Sequence, residues 1–450
     1  MFAHSVLIPT DDDAADWQAL WQQLPASAAV FALHGPSDEV DDEPYITKTA
    51  NLRRRLKRLL SPDTTASKRL NLLGRVSRIS YTETGSDLET ALLLYTATRH
   101  AFGDRVRKRL HLRPPALLRM AWENAHPRVY ATNRVAHRAL EHTFGPFPSR
   151  VAAERFLDDS LNLFLLRRCT DDLHPDPAFP GCIYSEMKMC LAPCFLGCTE
   201  ARYAEESEAV RAYFATRGAS LLTALEQDRN AASAALDFEK AAQLHARIQK
   251  VKAIAQQAAP LVHPLAQLDA VILQPAFYAS QAALSMHEMS APDMSSTGHA
   301  AHVAVFLIRA GMFYGPALYS VQGMAHPNEQ SGSSSLFAHP VAQMPTPLQA
   351  SETAAPKAAR GLLEDRLRDL LRQLEMQASA SRPHSDRIAD HLALLARWYY
   401  RPAAKRTGEI FFRDASSDFP LPKILRGISR VARGARNPED AEAATIPVLP

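Results

Sequence analysis

No stretch of this 450-residue chain approaches the roughly 20 consecutive apolar residues that a membrane-spanning helix needs. The opening, MFAHSVLIPTDDDAADW, lacks both a positive start and a cleavable apolar stretch, so no signal peptide is expected and a cytoplasmic protein follows. Cysteine is scarce: there are five, all between 169 and 198. Clustered thiols in a chain without an export signal argue against a disulfide framework and for metal. The sequence has no P-loop, no Gly-x-Ser-x-Gly elbow and no internal repeat, which leaves P-loop nucleotide hydrolysis, α/β-hydrolase chemistry and repeat architectures without support. Net charge is also small, +3, in a chain that is 46% hydrophobic and 22% charged. That is ordinary globular composition, and the length predicts three or four domains.

The charge that is present is unevenly spread. Residues 51–120 hold 16 Lys or Arg against 5 Asp or Glu, whereas Asp11 to Asp13 and Asp38 to Glu43 make the first fifty residues acidic. A basic block in a near-neutral protein points to a local polyanion site; its alternative is a solvated helix face. Residues 28–33, 44–47 and 75–82 read as strands, Asn51 as the cap of the helix LRRRLKRLL, and 87–102 as a helix with Leu88, Ala91, Leu92 and Tyr95 on one stripe. Residues 113–168 are mixed, with a turn at 144–149. Residues 201–257 are strongly helical; 267–275 and 302–320 are strand-like, the latter as a hairpin. Helices are expected at 357–378 and 386–398, linkers at 322–356, and a disordered end to the tail. His299 and His302 have no acidic partner nearby and read as loop residues rather than a metal site.

Cys169, Cys182, Cys190 and Cys194 are separated by 12, 7 and 3 residues, with Cys198 three beyond. Four thiolates can close a shell around zinc or hold an iron–sulfur cluster, and spacing alone leaves both open. Arg167, Arg168 and Lys188 flank the segment and would favour thiolates. The runs RRCTDD and CIYSEMKMCLAPC, preceded by FGPFPS, resemble the cysteine region of the UvrC family, the excinucleases of bacterial DNA repair. That resemblance implies a [4Fe–4S] cluster on Cys169, Cys182, Cys190 and Cys194, and leaves Cys198 outside the pattern.

The string ALDFEKAAQLHARI at 235–248 resembles the UVR motif shared by UvrB and UvrC. Phe238, Ala241, Ala242, His245 and Ile248 recur at helical intervals, and an upstream helix from Leu221 to Arg229 would pack back as a hairpin. The resemblance implies that these five residues contact UvrB.

The first hundred residues are similar to the GIY-YIG nuclease unit in degenerate form. Ala29-Val30-Phe31 and Tyr45-Ile46-Thr47 stand for its two motifs, and Lys48, Asn51, Leu52 and Arg55 match its KxxNLxxR pattern. The resemblance implies that Tyr45 orients or deprotonates the attacking water, Arg55 stabilises the phosphate, Lys48 holds the site or touches DNA, and Arg53, Arg54, Lys57 and Arg58 bind DNA. Mg or Mn would be needed only if the nuclease works. Tyr95 stands where the family places its metal-binding Glu, and a phenol is a poor hard-cation ligand. Glu89 lies six residues earlier on another helical face, and Phe31 lacks a hydroxyl.

Downstream there is no Cys-Phe-Asp-Ile-Ser motif of an RNase H-like second nuclease and no helix-hairpin-helix repeat. The expectation is an α+β multidomain protein. Its parts are a GIY-YIG-like α/β domain over 1–110, a linker subdomain over 111–168, a Cys-rich segment over 169–200 and a UVR hairpin over 201–257. A strand-rich region over 258–345 and a helical region with a basic tail over 346–450 complete it. The functional expectation is a UvrC-like nucleotide excision repair protein acting with UvrB on damaged DNA. The alternatives are a catalytically inactive adaptor that binds DNA and UvrB, and a standalone nuclease with a different metal ligand.

Overall fold

The computed structural model describes residues 2–9, 14–36, 43–60, 72–170, 173–277, 302–321, 355–381, 383–413 and 418–434. The acidic runs at 11–13 and 38–42, His299, the expected linker over 322–354 and the tail after 434 lie outside the described residues.

The N-terminal unit comprises β1 (His4–Leu7), α1 (Ala14–Gln23), β2 (Ala29–His34), β3 (Tyr45–Thr49), α2 (Leu52–Leu60), β4 (Arg78–Glu83), α3 (Asp87–Phe102) and a short α4 (Val106–Arg109). Its antiparallel sheet runs β1-β4-β2-β3. Alternation along β2 decides the layers: Phe31 and Leu33 join Leu20, Leu24, Leu52 and Leu56 in a core under α1 and α2, while α3 packs on β2 and β3 from the other side. The cap expected at Asn51 is present, its Oδ1 accepting from Arg54 N–H at 2.9 Å.

The middle unit contains β5 (Ala116–Met120), β6 (Val129–Thr132), β7 (Thr143–Phe147), α5 (Arg150–Leu161), α6 (Ile183–Glu186), α7 (Glu200–Ala215), α8 (Ala219–Ala234), α9 (Phe238–Ala255) and β8 (His263–Pro264). Its sheet order is β6-β5-β7-β8. The turn expected at 144–149 is therefore strand β7 followed by Ser149, which caps α5. Phe144 and Phe147 carry enough buried apolar surface to hold the Gly-Pro segment in the sheet. Arg217 and Gly218, both at positive φ, turn α7 into α8.

The C-terminal unit is built from β9 (Ala270–Pro275), β10 (His302–Arg309), β11 (Met312–Ser320), α10 (Ala355–Ala380), α11 (Ser385–Tyr399), β12 (Glu409–Phe412) and α12 (Leu421–Ala432), with sheet order β11-β10-β9-β12. His302 opens β10 rather than lying in a loop. The runs AVIL and VAVFLI are apolar throughout because both faces are covered. Ala270, Ile272, Ala304, Phe306 and Ile308 pack with α11, and Val271, Leu273, Val303, Val305 and Leu307 with α10 and α12. Strand β12 falls in the region expected to be helical, and helix α12 in the segment expected to be a basic tail. The bidentate pair Arg430–Glu409, at 2.8 and 2.6 Å, ties the two together.

The core on the α11 side also takes in Leu88, Leu92 and Tyr95 of α3 and Leu117 of β5, so three units meet there.

Candidate functional site

On the N-terminal unit, Tyr45 sits at the start of edge strand β3, 36% exposed, its ring centroid 6.5 Å from that of buried Phe31. Tyr45 pairs with Leu33 and Lys48 with Val30, so the two side chains leave opposite faces of the sheet. Arg55 is half-buried on α2. The structure thus brings Tyr45 to Phe31 but does not gather Tyr45 and Lys48 on one face. Arg53 turns inward, donating to the carbonyls of Leu24 at 2.6 Å and Gln22 at 3.4 Å, where it ties α2 to the end of α1 instead of facing a nucleic acid. Lys57 lies over the Trp21 ring at 5.9 Å, and Arg54 and Arg58 are exposed.

Tyr95 is buried on the stripe the sequence indicated, facing α11. Its hydroxyl donates to Asp390 Oδ2 at 3.0 Å; Arg99 Nη1 reaches the same oxygen at 3.4 Å and Arg107 Nε donates to Oδ1 at 2.5 Å. Burial, then the Asp390 charge, pushes the Tyr95 hydroxyl up to about 12, so it is a neutral donor at physiological pH. Glu89 is committed elsewhere, accepting from Gly85 N–H at 2.7 Å at the start of α3, and burial raises its carboxyl. Sequence reasoning did not single out Asp390, although it carries a signal: an acid inside the apolar stripe of HSDRIADHLALLARW.

Next to Asp390, His391 is 6% exposed; its Nδ1 accepts from Phe313 N–H at 3.1 Å and its ring meets Tyr95 edge-on at 5.3 Å. Burial, reinforced by Arg387 and Arg99, drops its pKa to about 3. A neutral folded imidazole and a protonatable unfolded one mean that stability is full above about pH 6.5 and falls as pH drops toward 3, by about 1.4 kcal/mol per unit. His391→Asn, which keeps an acceptor for Phe313, should flatten that slope in urea titrations at pH 6.5, 5.5 and 4.5; parallel slopes for both proteins would refute the assignment.

The cysteine segment lies between Leu166 and α7. All five thiols are free and half-buried. Cys190 Sγ accepts from Ala192 N–H at 3.3 Å, and Arg167 Nη1 approaches Cys169 Sγ at 3.6 Å. Positive φ at Lys188, Ala192 and Leu196 folds the chain back on itself. The flanking basic residues do not win the contest over protonation. Burial pushes Cys190 up to about 11, with smaller upward pushes from Cys169, Cys194 and Cys182, and burial raises Cys194 and Cys198 as well. The four thiols are therefore close enough to sense one another, although no group of three or more His, Cys, Asp or Glu among the described residues is gathered to hold an ion. Sulfur donors with N–H groups directed at them suit a metal–thiolate group, whose binding would release protons.

Helices α8 and α9 form an antiparallel hairpin, with Leu236 at φ 59° in the turn and Asp237 capping α9 through a bond from Lys240 N–H at 3.0 Å. The five residues expected on one contact face split into two sets. Ile248 is 1% exposed and packs with Leu225, Val251 and Ile254 in the core the hairpin shares with the rest of the middle unit, and Ala241 is half-buried. Phe238, 67% exposed, lies with Ala242 and His245 on the outer side. Intervals of four, three and seven connect 238, 242 and 245, whereas 241, 244, 248 and 251 make the inner seam. Leu236, 72% exposed beside Phe238, belongs with the outer set.

Residues 116–213 match the family described as the UvrC/Cho excinuclease middle domain, and residues 219–254 the UvrB/uvrC motif. Over these two segments the chain matches the UvrC family. It is similar to the UvrABC system protein C of Alcanivorax borkumensis (28% identical over 223 residues, 47% of this chain and 35% of that protein). Those of Edwardsiella ictaluri (30% over 218 residues, 47% and 35%) and Actinobacillus succinogenes (28% over 243 residues, 54% and 39%) are also similar. The match spans little more than a third of the length of these curated relatives. No solved structure matches the chain. The UvrC middle-domain match thus holds β5 to α7 and the cysteine segment, and the motif match holds the α8–α9 hairpin. Tyr45, Tyr95 and Asp390 lie outside both. No helix among the described residues is long and apolar enough to cross a membrane.

Proposed function

We propose that this UvrC-like chain is a nucleotide excision repair protein that docks on UvrB through the α8–α9 hairpin and brings a GIY-YIG-like N-terminal unit to damaged DNA. The observation that carries the reading is the apolar tip of the motif-matching hairpin, where Leu236 and Phe238 stay exposed while the inner seam is covered by the core of the middle unit. Burying two such side chains on a partner contributes about 2 kcal/mol each. Leu236→Asp/Phe238→Asp should therefore weaken capture of purified UvrB by at least about 100-fold. Unchanged capture with intact helical content would remove the basis of the proposal.

The same reading assigns Cys169, Cys182, Cys190 and Cys194 to a [4Fe–4S] cluster, with zinc as the alternative. Visible absorption and metal analysis of anaerobically purified protein separate the two. On the N-terminal unit, Tyr45 and Arg55 would act on the phosphodiester, and Arg54, Lys57 and Arg58 would hold DNA.

A second reading, the inactive adaptor, is favoured by Tyr95. The position read as the metal ligand's is taken up by a neutral hydroxyl bonded to Asp390. Such a protein would bind DNA and UvrB without cutting. Incision of a lesion-bearing duplex with Mg or Mn, abolished by Arg55→Ala, would exclude it.

A further inference from the structure

A groove runs between α11 and the irregular segment 111–116. It consists of two adjoining hollows of about 390 and 760 Å³ that share Arg113, Pro114, Pro115, Asn133 and Ala393. The smaller also holds Arg107 and Arg134 and two acids, Asp386 and Asp390, both answered by Arg107 at 3.2 and 2.5 Å. The larger has Arg150 and Arg397 in its lining and no Asp or Glu. Arg150 is spent partly on Glu154 at 2.7 Å, while Arg397 donates to the carbonyl of His111 at 3.1 Å, which leaves its charge uncompensated. Arg113 and Arg134 are exposed. Over both hollows the lining therefore holds five arginines against two acids, Asp386 and Asp390, a net excess of positive charge.

We propose that this groove binds a single strand of DNA through its phosphates. An excess of arginines over acids, with Arg113, Arg134 and Arg397 beyond the pairs made by Arg107 and Arg150, attracts a polyanion and not a neutral or cationic partner. The charge lies in a recess between α11 and the chain at 111–115 and 133–134, which suits one strand rather than a duplex. Tyr400 lines the larger hollow with its hydroxyl held by Pro146 O at 2.8 Å, so the ring is what it offers to a base. The site depends on α11, outside both family matches, and is distinct from the Arg54 and Arg58 surface of α2. It rests on the repair reading only for the choice of DNA among polyanions.

The test is fluorescence anisotropy of a labelled 20-mer of thymidylate with the full chain, from 50 to 200 mM salt. Arg113→Glu/Arg134→Glu should weaken binding at least about tenfold and make the salt slope shallower by about 1.4, at about 0.7 per single-strand phosphate contact. Arg113→Lys/Arg134→Lys, which keeps the charge, should bind within about threefold of the parent. Unchanged affinity and slope in the Glu pair overturn the proposal; so does an equal loss for a 20-base-pair duplex, which would make the surface a duplex site. The Glu pair should still capture UvrB, so a failure of the repair reading is seen separately in that capture.

Discussion

Asp390→Ala should destabilise the protein by about 2–4 kcal/mol and loosen α11 from α3. Asp390 is 3% exposed and accepts from Tyr95, Arg99 and Arg107. Removing one member of a buried ionic network leaves the others desolvated without compensation, a loss of about 3–5 kcal/mol when all are buried. Arg99 and Arg107 are 25% and 43% exposed, which lets water answer part of their charge and moves the expectation to the lower end. Tyr95→Phe, which removes one neutral donor, should cost about 1–2 kcal/mol. Tyr95→Glu is the more telling change, because it installs the acid that the GIY-YIG resemblance implies at this position. It would set a second carboxylate against buried Asp390, so it should destabilise at least as much as Asp390→Ala and give no metal-dependent incision. Urea titration followed by Trp398 fluorescence, on α11 itself, reads the stability, and an oligonucleotide assay reads the cutting. A gain of Mg-dependent cutting by Tyr95→Glu would show that this face of α3 serves a metal site after all.

If Cys169, Cys182, Cys190 and Cys194 hold the proposed metal group, Cys190→Ser should remove it and loosen the segment around it. Between Cys169 and Cys198 only Ala192 and Pro193 are buried among the described residues. So little apolar burial cannot offset the entropy of ordering thirty residues, each costing roughly 1–2 kcal/mol. A thiolate-bound metal would offset part of that cost, because structural sites contribute on the order of 10 kcal/mol. The expected result is loss of bound metal together with new protease cleavage within 173–190, while Cys198→Ser keeps both. Retention of full metal content and the parent cleavage pattern by Cys190→Ser would sink the assignment of Cys190 as a ligand.

Local signals read best where one short-range force dominates. The Asn51 cap, the full extent of α3 and the β10–β11 hairpin all follow from capping chemistry and periodicity. The FGPF strand reads as a turn in sequence because Gly and Pro signal turns, while its Phe side chains are held by partners distant in sequence. Helix α12 is hidden for the same reason: its apolar face makes sense only against β9 and α10. Arg53 reads as one more charge in a basic run until the ends of α1 and α2 meet and give it two carbonyls.

The sequence by itself determined the likeness to the UvrC family over 116–254, through FGPFPS, the cysteine spacing and ALDFEKAAQLHARI, because those are contiguous strings that need no partner to be recognised. It also determined that Tyr95 departs from the expected acid. Only the tertiary structure decided what Tyr95 does instead, since Asp390 lies 295 residues away and reaches it only when α11 packs on α3. It decided too that Ile248 turns inward while Phe238 turns out, because a helix with apolar residues on two sides is divided only by what covers one of them.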